Sequence, residues 1–260
     1  MKAFFAALTG FFAVLVFLSA SAHADDDVLT PAQRDEIREL VGDYILENPE
    51  IIEEALIELQ RRARQRESAA MISAIQSNGD LIYNDERDPS FGDDDAPIVI
   101  VEFMDYKCGY CRIASEWVNE AREAYGEHIR FVFKEYPILG PESREAARAA
   151  LAVLRQGDDV YWRFHTAMIQ SSGPLPAGRI ENFARLAGAD VDEMQADMED
   201  PEIQAHIEQV YALGRAIGAD GTPFFIINGR PISGANRDAL DQTLANALAR
   251  VYEAQSGSGE

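Results

Sequence analysis

Two cysteines three positions apart, Cys108 and Cys111, are the residues of this sequence best suited to covalent chemistry. They follow an apolar, β-branched run from Ile98 to Phe103, which predicts a buried strand, and they open a segment with helical spacing of apolar residues. Cys108 is therefore expected at the start of a helix, where unpaired N–H groups and the helix dipole favour an anion. In Cys-X-X-Cys motifs such placement lowers the pKa of the thiol to roughly 3.5–7.5.

The spacing lets Cys111 reach back and close a disulfide with Cys108, which can pass to another protein through a mixed disulfide. We expect Cys108 to attack, because it is nearer the helix end and the surface, and Cys111 to be the buried resolving sulfur. A purely structural disulfide is the alternative, although so short a loop would stabilise the chain only weakly. A zinc site needs two more ligands, which the histidine spacing does not offer, and haem attachment needs a histidine where Arg112 stands. No metal or cofactor is predicted.

Composition limits the class of partner. The chain has 260 residues, 47% of them hydrophobic, and a formal net charge of −22. The length suits one medium domain with an appendage. The acidity disfavours nucleic acid and anionic membrane surfaces as partners and favours solubility.

Residues 1–24 have the pattern of a secretory signal, with Lys2, an apolar core and small residues ending at Ala24, after which we expect cleavage. An uncleaved membrane anchor is the alternative. Export would place the cysteines in the oxidising periplasm. The expected partners there are exported proteins that carry cysteines.

Residues 25–80 are predicted to form a helical arm. Thr30, Pro31 and Gln33 make a capping box at its start. In a second helix, from Pro49 towards Gln76, apolar positions recur with alternating steps of four and three, as in a coiled-coil seam. We expect this arm to make the protein a homo-oligomer; the alternative is that its helices fold back on the catalytic domain.

The rest of the chain predicts a mixed α/β domain with a central sheet covered on both faces. Asn228-Gly229 is a strong hairpin signal between two strands. The remaining predicted elements, in chain order, are an edge strand at 81–83 within an acidic linker that ends at 97, a strand at 129–135, helices over 141–218, a last helix at 239–252 and a disordered tail at 254–260.

Three motifs, in this order, resemble the DsbA-like branch of the thioredoxin superfamily: Phe103-x-Asp-Tyr-x-Cys108-Gly-Tyr-Cys111, then Phe133-Lys-Glu-Tyr-Pro-Ile-Leu139, then Gly221-Thr-Pro-Phe-Phe225 with Asn228-Gly229. The resemblance implies that residues 98–253 form a thioredoxin fold, interrupted by a helical insertion at about 141–218.

The same resemblance assigns roles to further residues. It implies that Pro223 is cis and faces the cysteine pair, with Thr222 backbone groups able to bind an extended substrate; an ordinary trans proline is the alternative. Glu102 and Lys134 match a buried charged pair beneath the active site, and we hypothesise that Glu102 shuttles protons to Cys111. A solvated edge position is the alternative for Glu102.

The dipeptide Gly109-Tyr110, with threonine before the proline, resembles DsbC-type isomerases, and the N-terminal arm resembles the oligomeric ScsC-like proteins linked to copper tolerance. The expected function is a periplasmic thiol–disulfide oxidoreductase that isomerises or reduces disulfides and depends on a membrane-bound thiol reductase. The alternatives are a dithiol oxidase of the DsbA type, recharged by a membrane oxidase, and a non-enzymatic chaperone or copper-binding protein.

Overall fold

The computed structural model describes residues 29–257, which divide into two compact units between Arg61 and Arg62. The predicted signal sequence lies outside these residues. Among the described residues, no helix is both long enough and apolar enough to cross a membrane.

The first unit contains helix α1 (Pro31–Glu47) and the beginning of α2 (Glu50–Ser77). The predicted capping box is confirmed: the Thr30 hydroxyl accepts the Gln33 N–H at 3.3 Å, and the Gln33 side chain accepts the Thr30 N–H at 2.9 Å. No residue of α1 is buried. The large apolar side chains of this unit that are exposed include Ile37, Leu40, Val41, Tyr44, Ile52, Leu56 and Leu59.

The second unit contains a five-stranded sheet. Its strands are β1 (Ser90–Phe91), β2 (Ile98–Met104), β3 (Ile129–Glu135), β4 (Phe224–Ile227) and β5 (Arg230–Ser233), in the order β1-β3-β2-β4-β5. The two central strands β2 and β3 are parallel, and the other pairs are antiparallel. The hairpin turn between β4 and β5 forms as predicted, because Asn228 and Gly229 both adopt the positive φ that such a turn requires, at 45° and 81°.

Helices cover both faces of the sheet. They are α3 (Gly79–Tyr83), α4 (Gly109–Tyr125), α5 (Pro141–Leu154), α6 (Asp158–Ile169), α7 (Ala177–Ala187), α8 (Val191–Met198), α9 (Pro201–Ile217) and α10 (Arg237–Gly257). The predicted α/β class and the helical insertion are therefore confirmed.

The sheet separates two apolar clusters, because alternate residues of a strand point to opposite faces. Ile100 and Met104 of β2 belong to the cluster formed with α4, α5, α6 and α10. Val101 and Phe103 belong to the other, formed with the end of α2, α3 and α9. These are called the α4 face and the α9 face below.

Two local predictions were wrong. Residues 81–83 form part of helix α3 rather than an edge strand: the Ile82 N–H bonds to the Asn78 carbonyl at 3.0 Å, and the Ile82 side chain is fully buried on the α9 face. The edge strand next to β3 is instead β1, inside the segment predicted as a linker. The last helix continues to Gly257, so most of the predicted disordered tail is helical, and residues 258–260 lie outside the described part.

Candidate active site at the start of helix α4

The cysteine pair lies between the end of β2 and the first turn of α4, as predicted. Cys108 is the N-cap residue of α4, with extended backbone angles of −81° and 113°. Its side chain is 8% exposed, whereas Cys111, one turn into the helix, is fully buried. Both are free thiols in this structure. The positions fit an outer, attacking sulfur and an inner, resolving one.

The surroundings push the pKa values of the two thiols in opposite directions. The Cys111 thiol donates to Cys108 and, with the Thr222 hydroxyl and the N–H groups of Tyr110 and Cys111, lowers the pKa of Cys108 to about 5 against the opposing effect of burial. Burial raises the pKa of Cys111 far above its usual value. The hydrogen bond that its thiol donates to Cys108 and the charge of Glu102 raise this pKa further. At neutral pH, therefore, Cys108 is a thiolate and Cys111 keeps its proton.

The segment before β4 closes one side of the site. The Thr222–Pro223 peptide bond is cis, as the sequence resemblance implied. The Thr222 carbonyl lies 3.1 Å from the Cys108 Sγ, to which it offers an acceptor when the thiol is protonated. Of the two residues between the cysteines, Gly109 opens the helix and Tyr110 is 66% exposed, so its ring is available to a bound chain.

Asp105 and Lys107, in the turn before Cys108, make hydrogen bonds to distant parts of the chain. The sequence did not predict these contacts. The Asp105 carboxylate accepts the N–H groups of Lys107 and Leu139, at 2.8 and 2.9 Å. The Lys107 ammonium donates to Glu142 at 2.6 Å and to the Gly173 carbonyl at 3.2 Å. An aspartate two residues before a turn N–H is a recognisable Asx-turn signal, but the distant partners carry no such signal.

Next to Cys108 is an open groove of about 370 Å³. Its walls include Lys107, Gly109 and Arg112 on one side and residues 171–174, from the loop after α6, on the other. A groove of this size beside the attacking sulfur has room for a few residues of another chain. Among residues 29–257, no three His, Cys, Asp or Glu side chains converge to hold a metal ion.

Glu102 and Lys134 are both buried, as predicted, but they do not form a pair. Glu102 stands opposite Phe133 in the parallel register and belongs to the α4 face, whereas Lys134 stands opposite Phe103 and belongs to the α9 face. The sheet itself separates them. The Lys134 ammonium instead donates to Asp88 and to the Leu81 carbonyl, and Asp88 also contacts His206 Nε2 at 3.0 Å.

Without Lys134 beside it, Glu102 keeps a raised pKa. Burial is the largest cause, and the charges of Cys108 and Glu135 add to it. In its ionised form, a carboxyl group with a raised pKa is a stronger base than an ordinary glutamate, and Glu102 acts electrostatically on Cys111, so this form is suited to take the Cys111 proton.

Comparison with known proteins assigns the fold. The model of a family described as Thioredoxin matches residues 84–246, well over half of the chain. The chain belongs to the thioredoxin family. A second family model, described as the Copper resistance protein ScsC N-terminal domain, matches residues 33–66, which cover most of α1 and more than half of α2.

Solved structures extend this likeness. A thioredoxin-like oxidoreductase from Silicibacter pomeroyi is 37% identical, with a TM-score of 0.61 over 67% of this chain and 97% of that one. A linker-deletion mutant of Proteus mirabilis ScsC is 28% identical, with a TM-score of 0.61 over 86% and 98%. The thiol–disulfide exchange protein α-DsbA2 from Wolbachia pipientis is 28% identical, with a TM-score of 0.65 over 71% and 98%. The resemblance to DsbA-like and ScsC-like members of the thioredoxin superfamily is thus confirmed.

Curated relatives place a similar domain in longer chains. The chain spans 23% to 31% of the length of three of them, which carry the name Na(+)/H(+) antiporter NhaA; the one from Herminiimonas arsenicoxydans is 30% identical over 144 residues, 55% of this chain. The function of the thioredoxin-family domain in this chain therefore depends on the residues of its own site.

The role of Glu102 is testable by its isosteric amide. In Glu102→Gln the base beside Cys111 is lost, so we expect the release of a mixed disulfide by Cys111 to slow by about 10²-fold and to lose its dependence on the Glu102 carboxyl. The measurement is single-turnover exchange with a peptide disulfide between pH 5 and 9. Lys134→Met serves as the control for a buried charge on the other face. An unchanged rate and pH profile in Glu102→Gln would rule out the proton-shuttle role.

Proposed function

We propose that the protein is a periplasmic thiol–disulfide oxidoreductase that isomerises or reduces the disulfides of exported proteins. The observation that carries this proposal is the placement of two free thiols three residues apart, with Cys108 at the N-cap of α4 and Cys111 buried one turn into the helix, which lowers the pKa of the first and raises that of the second. The thiolate is the nucleophile in disulfide exchange. The buried thiol, which keeps its proton, reacts only after a mixed disulfide has formed.

The reaction begins when the Cys108 thiolate attacks one sulfur of a substrate disulfide. A bond forms between Cys108 and that sulfur, and the other substrate sulfur leaves as a thiolate. We expect the substrate chain to lie across the exposed Tyr110 and the groove beside Cys108, with its backbone near Thr222, the residue before the cis-proline.

The mixed disulfide then has two outcomes. In isomerisation, another substrate thiolate attacks the bound substrate sulfur and returns Cys108 as a thiolate. In reduction, Glu102 takes the proton of Cys111, Cys111 attacks Cys108, and the substrate leaves reduced while the pair is oxidised to a disulfide. A membrane-bound thiol reductase would then supply two electrons to restore the dithiol.

The N-terminal unit supports an oligomeric form of this enzyme. Most apolar side chains of α1 and of early α2 are exposed and none is fully buried, and residues 33–66 match the ScsC N-terminal domain. Burying these apolar side chains against the same helices of another copy of the chain would stabilise an oligomer. We assign this unit to self-association, with the active sites of several copies acting on one substrate.

The experiment that tests both parts compares the full chain from residue 25 with a chain that begins at Arg62. The structure moves this boundary from the predicted residue 80, because Ile75 near the end of α2 is buried on the α9 face. We expect the shorter chain to sediment with fewer subunits than the full chain. It should restore the native disulfides of a scrambled substrate at less than about a tenth of the full chain's rate, while it still reduces a peptide disulfide. Equal sedimentation of the two chains would contradict self-association, and absence of exchange by either would contradict the enzyme.

The depressed pKa of Cys108 also favours a second candidate, a dithiol oxidase. Stabilising the thiolate stabilises the reduced form, which makes the disulfide a stronger oxidant. The redox state of the pair in cells separates the two functions. A reduced pair supports the isomerase or reductase, and an oxidised pair supports the oxidase.

A further inference from the structure

A second buried carboxylate lies close to the cysteine pair. Glu135 is the last residue of β3, stands opposite Met104 in β2 and is 1% exposed. Its Oε1 accepts the hydroxyl groups of Tyr106 at 3.0 Å and Tyr161 at 3.2 Å, while its Oε2 is buried without a hydrogen-bond partner. A buried, partly unpaired carboxylate costs stability, so its presence calls for a function.

Tyr106 connects this carboxylate to the attacking cysteine. It lies two residues before Cys108 and is 4% exposed. Its hydroxyl is also 3.0 Å from His165 Nδ1, in α6. Because a tyrosine hydroxyl has one hydrogen, which goes to Glu135, the contact with His165 must be donated by the imidazole N–H. The network therefore runs from His165 to Tyr106 to Glu135, with Glu135 as the final acceptor.

This geometry tolerates two charge states. A proton on Oε2 leaves Oε1 free to accept both tyrosine hydroxyls, so Glu135 keeps its hydrogen bonds whether it is neutral or ionised. Burial is the main cause that raises the pKa of Glu135 to about 8; the charges of Asp105 and Asp88 add to it, and the two tyrosines oppose it. Burial and the Arg122 charge lower the pKa of His165 to about 3, so the imidazole stays neutral.

Glu135 is also coupled to Glu102. Both side chains lie on the α4 face of neighbouring strands, and a negative charge on Glu135 raises the pKa of Glu102. Between α4, α6 and the sheet, Glu102 and His165 line a common cavity of about 10 Å³, which has room for about one water molecule. The carboxylate network of Glu135 and the base beside Cys111 therefore share one buried environment.

We propose that Glu135 is a positioning residue for disulfide exchange: it holds Tyr106 in the turn before Cys108 by a hydrogen bond, and it lies on the α4 face of the strand next to Glu102, where it acts on the base that serves Cys111. This inference rests on the proposed function and adds a residue to it. Below pH 8 Glu135 is neutral and acts only through Tyr106. Above pH 8 its negative charge keeps Glu102 protonated, which withholds from Cys111 the base that it needs to resolve a mixed disulfide.

The test is single-turnover reaction of the reduced protein with an aromatic disulfide such as 5,5′-dithiobis(2-nitrobenzoate). Attack by Cys108 releases one coloured thiolate, and attack by Cys111 on the mixed disulfide releases the second. The first phase reports the proposed function, and its absence in the parent chain would contradict that function. The second phase reports the inference.

For Glu135→Gln we expect the second phase to equal that of the parent at pH 6 and to be about three- to tenfold faster at pH 9, since a shift of about one pH unit in a coupled base changes its ionised fraction up to tenfold. Glu123→Gln, which removes an exposed carboxylate of α4, should match the parent at both pH values. A purely structural role would instead slow the variant equally at both, and that result, or identical rates throughout, would overturn the proposal.

A second variant covers failure of Glu135→Gln to fold, which thermal unfolding would reveal. Tyr161→Phe removes one donor to Glu135 and its contacts with Tyr106 and His165, but leaves the hydrogen bond from Tyr106 to Glu135 in place. It should keep Glu135 neutral to higher pH and accelerate the second phase at pH 9 by a smaller factor. Equal second-phase rates for Tyr161→Phe and the parent at pH 9 would overturn the proposal on their own.

Discussion

Replacing Cys108 by serine is expected to lower the rate of exchange with a peptide disulfide by at least about 10⁴-fold, because losses of that order follow removal of a nucleophile. The serine hydroxyl keeps the size of the thiol but does not ionise near neutral pH, and only a thiolate attacks a disulfide at a useful rate. The measurement is the release of a chromophoric thiol from a model disulfide at pH 7.

Cys111→Ser is the matched control for this prediction. It removes the second sulfur but leaves Cys108 at the tip of α4 and a hydroxyl donor in place of the Cys111 thiol. It should attack the substrate and then accumulate as a mixed disulfide, visible as a covalent adduct by mass spectrometry. An adduct on Cys108→Ser, or full exchange by it, would show that the wrong sulfur has been assigned as the attacking one.

The second large effect concerns pH. The rate at which Cys108 reacts with an alkylating agent should be half-maximal at about pH 5, constant from about pH 6 upwards, and fall about tenfold per pH unit below the midpoint, in proportion to the thiolate. Because the Cys111 thiol is the largest cause of the low pKa, Cys111→Ala should move the midpoint upward, whereas Cys111→Ser should move it less. A midpoint near the ordinary cysteine value in the parent chain would contradict the site.

The same shift makes stability depend on pH with a defined sign. The pKa of Cys108 is about 5 in the folded protein against 9.0 for an ordinary thiol, so between these values the unfolded chain binds the extra proton. The contribution of Cys108 to the stability of the reduced protein should therefore grow as pH rises from 5 to 9 and be lost as pH falls to 5, whereas Glu135, whose pKa is raised, contributes with the opposite sign. Thermal unfolding of the reduced chain beside Cys108→Ser, in which this group is absent, measures the difference.

The local parts of the site were predictable from sequence, because their signals are local. A β-branched run before the two cysteines predicted a strand and a helix start, and Asn228-Gly229 predicted the turn that follows β4. By contrast, residues 81–83 are three apolar positions, and periodicity over three residues does not separate strand from helix.

The parts that sequence reasoning missed depend on pairing between distant strands. Whether Glu102 and Lys134 share a face depends on the register of β2 against β3, and here Lys134 stands opposite Phe103, on the α9 face. A one-residue difference in register would reverse that result. Likewise, the contact of Tyr106 with His165 joins positions 59 residues apart, so no local pattern foreshadows it.

The anchoring of the turn before Cys108 bears on how such proteins are built and altered. Tyr106 is tied to α6, and Lys107 to the start of α5 and the loop after α6, so the inserted helices act as a scaffold that clamps the nucleophile. If β2, the cysteine pair and α4 alone were grafted into a minimal sheet, the contacts of Tyr106 and Lys107 with the inserted helices would be lost. Engineers who wish to alter the reactivity of the cysteine pair can therefore substitute residues of α5 and α6 in the insertion, without changing the Cys-X-X-Cys segment itself.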